Sequence, residues 1–122
     1  MNENPLLEKS LLFAARIVKL YKYLQKEKHE TIISKQIIRS GTSIGANANE
    51  AAYGVSTADF ISKLQISLKE TAETEYWLRL LILTDYLEKE HGNSILLDCL
   101  EIKRILISSL NTAKKKQENH HK

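Results

Sequence analysis

Apolar residues recur at helical spacing in four stretches of the chain, separated by short breaks. At about 100° per residue, Leu6, Phe13, Ile17, Leu20, Tyr21 and Leu24 fall on one side of the first stretch. Leu7, Leu11, Ala14 and Val18 widen that side to roughly half the circumference. Asn4 as N-cap and Pro5 at the first helical position mark the start. The pattern predicts an end near Lys28. A second helix is expected from about Glu30 or Thr31 to Tyr53, with Gly54 as terminator. Its stripe is Ile33, Ile37, Ser40, Gly41, Ile44, Ala48 and Ala51, mostly small in its second half. A facing helix can therefore approach closely, which offsets the ~1 kcal/mol that Gly41 and Gly45 each cost relative to Ala. Ser56 and Asp59 resemble a capping box and open a third helix, predicted to reach about Glu90. Its core stripe is Phe60, Ile61, Leu64, Leu68, Ala72, Leu78, Ile82 and Tyr86. His91-Gly92-Asn93-Ser94 is the next expected break. A fourth helix follows from about Ile95 to Lys116, with Leu96, Cys99, Leu100, Leu106, Ile107 and Leu110 inward and a frayed tail over 117–122. Short connections between long helices make antiparallel neighbours. The expectation is an all-α, up-down-up-down four-helix bundle forming a single domain over 1–122.

The third helix carries two features that a simple bundle does not need. Glu75 falls within its core stripe, and a buried carboxylate requires a partner. Arg79, one turn later, is the first candidate and Arg39 of the second helix the next. A second apolar line, Ile66, Trp77, Leu80, Leu81 and Leu87, points away from the first. One bundle needs one stripe per helix, so the outer line is expected to meet another subunit. Arg39 and Glu50 share a face of the second helix turned from the core and are expected at the same interface.

Composition narrows the class. Hydrophobic residues make up 43% and charged residues 27%, ordinary soluble-protein usage. One Pro and four Gly disfavour a β-sandwich, which needs frequent turn residues. The single Cys99 excludes an intramolecular disulfide and a Cys-rich zinc site, and reads as a small buried apolar residue. No apolar run approaches ~18 residues, so no membrane-spanning helix is expected. The first residues lack the basic start and apolar run of a signal peptide, so a cytoplasmic setting is expected.

The net charge of +3 is unevenly spread: residues 1–40 carry +4, residues 41–90 carry −4 and residues 91–122 carry +3. Lys9, Arg16, Lys19, Lys22 and Lys26 fall within an arc of about 140° on the first helix, largely opposite its apolar side. Such an arc is either a solvated face or a phosphate-binding surface.

Catalytic chemistry finds no footing. Ser40-Gly41-Thr42-Ser43-Ile44-Gly45 lacks the Lys-Ser/Thr of a phosphate loop and has no preceding strand. Two Glu-x-x-His pairs occur, Glu88 with His91 and Glu118 with His121, but one falls at a helix end and the other in the tail. A di-iron bundle needs both projecting into its core. Neither metal nor cofactor is expected, and the chain does not read as an enzyme.

The run Ser34-Lys35-Gln36-Ile37-Ile38-Arg39-Ser40-Gly41-Thr42-Ser43-Ile44-Gly45-Ala46-Asn47-Ala48-Asn49-Glu50-Ala51 is distinctive. So are Asp59-Phe60-Ile61-Ser62-Lys63-Leu64 and the later Leu68-Lys69-Glu70-Thr71-Ala72-Glu73-Thr74-Glu75-Tyr76-Trp77-Leu78. With these segments the chain resembles, over nearly its whole length, the four-helix-bundle family encoded by intervening sequences of bacterial 23S rRNA genes, often labelled S23 ribosomal protein. It departs at Ala48, where the family usually has a larger apolar residue, and at Thr71, where it usually has Ala. The resemblance implies a homo-oligomer, typically a pentameric ring, with no known catalytic activity. The family is also similar to the accessory variability protein of diversity-generating retroelements, a basic pentamer that engages nucleic acid and a reverse transcriptase. Two functions then compete. One is a nucleic-acid-associated accessory protein, for RNA or DNA, using the basic arc and the Lys114-Lys115-Lys116 end. The other is a scaffold ring that holds a protein partner and binds no nucleic acid.

Overall fold

A computed structural model describes residues 4–120. Four helices make up the fold: α1 (Pro5–Lys26), α2 (Ile33–Ala52), α3 (Thr57–Leu83) and α4 (Lys89–His120). Sequential neighbours pack together and α1 closes against α4, so the helices form a four-helix bundle. None of them is long and apolar enough to cross a membrane.

Caps fix where the helices start. Asn4 accepts the N–H groups of Leu6 (3.1 Å) and Leu7 (3.4 Å), and Ser56 accepts the N–H of Asp59 (3.0 Å). At α2 the cap is Glu30, two residues before the N-cap position. Its carboxylate takes the N–H groups of Ile32 (3.1 Å), Ile33 (3.0 Å) and Ser34 (2.7 Å), three of the donors that a helix start leaves open. Burial pushes the Glu30 carboxyl upward, but these amides outweigh it and hold the group below its ordinary value.

The core runs through Leu6, Phe13, Ile17, Leu20 and Leu24 on α1 and Ile37, Ile44, Ala48 and Ala51 on α2, as the periodicity predicts; Ile33 and Tyr21 are half-buried. The small-residue stripe does bring α1 and α2 together. A Cβ on Gly41 would lie 2.8 Å from Ile17 Cγ2, and one on Gly45 3.1 Å from Ser10 Oγ.

On α3 the buried line differs from the expected one. It passes through Ile61, Leu64, Ser67, Glu70, Thr71, Thr74, Leu78 and Leu81, leaving Leu68 half-buried and Ala72 and Tyr86 exposed. Hydroxyls make this possible. Ser67 donates to the Ile44 carbonyl across the bundle (2.7 Å), and Thr74 Oγ1 lies 2.8 Å from Ser40 Oγ. Thr71 donates back to the Ser67 carbonyl (2.8 Å), which satisfies its hydroxyl within the buried stripe. No buried side-chain N or O among the described residues lacks a partner.

The break after α3 also lies elsewhere. It occupies Thr84–Glu88, where Asp85 adopts φ 65° and the N–H groups of Tyr86 (3.0 Å) and Leu87 (3.2 Å) both donate to the Leu81 carbonyl. Leu87 tucks into the core there. Gly92 lies within α4 and serves close packing, since a Cβ would fall 2.5 Å from Ile82 Cγ1. On α4, Ile95, Leu96, Cys99, Ile102, Leu106, Leu110 and Ala113 are buried, and Ile107, expected inward, is exposed. The helix extends to His120; residues 121–122 lie outside the described residues.

Candidate functional site

The basic arc of α1 divides in two. Lys9 Nζ sits 3.1 Å from Glu101, and Arg16 Nη1 sits 2.6 Å from Asp98 on α4. Arg16 also donates to Ser94 Oγ (3.2 Å). Lys9 and Arg16 therefore bind α1 to α4, along a groove of ≈ 370 Å³. Lys19, Lys22 and Lys26 are exposed and form no ion pair with a described carboxylate. The arc is visible on one helix, whereas the acids that neutralise two of its five cations, Asp98 and Glu101, lie 82 and 92 residues away from them.

The expected subunit face is rearranged. Leu81 is fully buried within the chain and Leu87 nearly so, so neither belongs to an outer line. Leu81 continues the stripe that passes through Thr71 and Thr74, and Leu87 lies beyond the end of α3. The surface opposite that stripe carries Ile66, Tyr76 and Leu83, all exposed, with Leu80 half-buried. Trp77 is half-buried against the core and meets Tyr76 edge-on at 5.1 Å.

Beside Trp77 sits a charged clamp between α2 and α3. Arg39 bonds Glu70 (3.0 Å) and also Glu73. The Trp77 indole N–H donates to Glu73 (3.0 Å). That indole bond, together with Arg39, holds the Glu73 carboxyl below its usual value, and Glu73 in turn raises the Arg39 guanidinium. Glu50 pairs with Lys63 at 3.8 Å. Arg39 and Glu50, expected at a subunit contact, thus both have partners within the chain.

Glu75 has the predicted Arg79 as partner (3.0 Å), and a second that periodicity did not single out, Lys103 of α4 (3.0 Å). Arg39 is not among its partners. The Lys103 bond, with Arg79 behind it, holds the Glu75 carboxyl below its ordinary value despite burial. Burial pushes the Cys99 thiol up to about 12, which keeps it protonated and a poor nucleophile. Among the described residues no group of three or more His, Cys, Asp and Glu could hold a metal ion. Glu88 and His91 are exposed near the start of α4, and His121 lies outside the described residues.

Two further apolar surfaces are open. Leu11, placed by the periodicity on the apolar side of α1 with Leu7 and Ala14, is exposed. A groove of ≈ 820 Å³ between α1 and α2 is lined by Leu7, Leu11 and Ala14 facing Thr42 and Ala46. At the α2–α3 turn, Tyr53 and Val55 are 81% and 95% exposed.

No curated protein matches this chain. A solved structure does: a protein of unknown function from the S23 ribosomal protein family of Bacteroides thetaiotaomicron VPI-5482 is 57% identical, with a TM-score of 0.85, over 86% of this chain and 97% of that one. The family model described as 23S rRNA-intervening sequence protein matches residues 2–108. With the family model spanning most of the chain and the same four-helix architecture in place, this protein belongs to the 23S rRNA-intervening sequence protein family.

Proposed function

We propose that this chain is a non-enzymatic bundle that self-associates and accompanies nucleic acid, RNA or DNA, through its basic surface. The observation that supports it is the unpaired part of the arc: Lys19, Lys22 and Lys26 are exposed on one side of α1 with no carboxylate paired to them among the described residues. Lysines so placed contact phosphates, which positions a polymer without reading its sequence. Self-association multiplies the field. A ring of five, the number that the family resemblance implies, carries about +15 from +3 per chain. The outer face of α3, with Ile66, Tyr76, Leu80 and Leu83, supplies apolar surface for such contacts.

The second reading is a scaffold ring that holds a protein and binds no nucleic acid. The apolar groove between α1 and α2 favours it. A salt titration of RNA and DNA binding separates the two. Phosphate contacts make log Kobs fall linearly with log salt, by roughly 0.7–0.9 per contact. Failure to bind either polymer at about 50 mM salt overturns the nucleic-acid reading and leaves the scaffold.

A further inference from the structure

The α2–α3 turn and the last turns of α4 together form an open recess of ≈ 570 Å³. Ser56 and Thr57 line it from one side, and Ser108, Ser109, Thr112 and Lys116 from the other, with no carboxylate among the lining residues. Asp59, in the first turn of α3, does not line it, although its carboxylate lies against the lining Gly54. Thr112 already donates to the Ser108 carbonyl (3.1 Å), which leaves four hydroxyls and an ammonium as donors suited to a phosphate. The lysine run adds to it: Lys114, Lys115 and Lys116 are exposed and form no ion pair with a described carboxylate. Tyr53 directly precedes the lining Gly54 along the chain, and Val55 lines the pocket. Tyr53 is 81% exposed and Val55 95%, so an aromatic ring stands open to solvent one residue from the lining of a basic, hydroxyl-bearing recess. Exposed aromatic rings beside basic grooves are how proteins hold unpaired bases while the backbone is neutralised. Ser109, Thr112 and Lys116 lie beyond the residues matched by the family model.

We infer that this end of the bundle docks single-stranded nucleic acid, a base stacking on Tyr53 and a neighbouring phosphate seated in the pocket against Lys116. The inference rests on the nucleic-acid reading above and gives it a second contact, distinct from Lys19, Lys22 and Lys26. A duplex keeps its bases stacked on one another and offers Tyr53 nothing to stack against.

The test uses the full chain, a fluorescent 15-nucleotide oligo-dT, a duplex of equal length, and vesicles of phosphatidylserine. Tyr53→Ala is expected to weaken oligo-dT binding about tenfold, within the range that one stacked base contributes. Tyr53→Phe should bind like wild type, and neither change should alter duplex binding. Lys116→Gln should lower the log–log salt slope for the single strand by roughly 0.7. If Tyr53→Ala binds oligo-dT as wild type does, this site is wrong while the wider reading stands. If wild type binds no nucleic acid at all, both fall. If vesicles bind and Tyr53→Ala abolishes that binding while the single strand is unaffected, the surface is a lipid contact and the inference is overturned.

Discussion

The Arg16 guanidinium on α1 holds the Asp98 carboxylate on α4 at 2.6 Å, with Ser94 beside it. This pair moves Arg16 from the basic surface into the architecture of the bundle, and Lys9 follows it through Glu101. Both pairs are substantially solvated, so each contributes about 0–1 kcal/mol.

Charge reversal should therefore act differently along the arc. Lys22→Glu with Lys26→Glu is expected to weaken RNA and DNA binding about equally across sequences, and to reduce the salt slope by roughly 1.4–1.8 for two lost phosphate contacts. Arg16→Gln should leave that slope unchanged and cost no more than ~1 kcal/mol of stability. Fluorescence anisotropy at several salt concentrations, with thermal melts alongside, measures both. An unchanged slope in the double variant would show that these lysines are a solvated face.

Gly41→Ala should destabilise although alanine favours helix by ~1 kcal/mol. The added methyl would fall 2.8 Å from Ile17 Cγ2, and Ile17 is fully buried with no room to yield. Overpacking of this kind costs about 1–3 kcal/mol. At Gly92 an added methyl would fall 2.5 Å from Ile82 Cγ1 and 3.2 Å from Cγ of the buried Leu87, so Gly92→Ala should cost at least as much. Melting midpoints of the two variants decide the order.

Glu30 and Glu75 make stability fall in acid. Both carboxyls are held below their unfolded values. Their contribution is complete above the unfolded pKa, about 4.3, and is lost as pH falls through the depressed folded value. Glu30→Gln and Glu75→Gln should each flatten the acid limb of a stability–pH curve while losing about 1–3 kcal/mol at pH 7. The loss at Glu75 should stay below the 3–5 kcal/mol of a fully buried pair, because Lys103 and Arg79 can turn to solvent. Urea titrations from pH 3 to 7 provide the measurement, and a Glu75→Gln curve parallel to wild type would refute the pairing.

Tyr76→Asp with Leu83→Asp should break self-association and keep helix content, since both side chains are exposed on the outer face of α3. Trp77→Asp should instead lose stability as well, because Trp77 packs against the core and bonds Glu73. Light scattering with circular dichroism distinguishes these effects. A wild-type chain that stays monomeric at about 50 μM, well above micromolar affinities, would fall outside the assembly reading.

Much of this architecture was legible along the chain. The four helices, the Asn4 and Ser56 caps, the α1 core line and the small residues of α2 all follow from spacing and cap chemistry within one turn or two. The rest depended on partners far away in sequence. Ser67 and Thr74 count as polar in any periodicity, yet they are buried because the Ile44 carbonyl and the Ser40 hydroxyl wait across the bundle. Omitting them displaced the predicted α3 stripe toward Ala72 and made Leu81 look external. Gly92 reads as a break, but Ile82 needed its missing side chain and the turn formed at Asp85 instead. Two of the five cations of the basic arc were neutralised by acids of α4. A residue's own chemistry sets the cost of burying it or leaving its charge exposed, but whether that cost is met depends on the distance to another side chain, and only the packed bundle determines that distance.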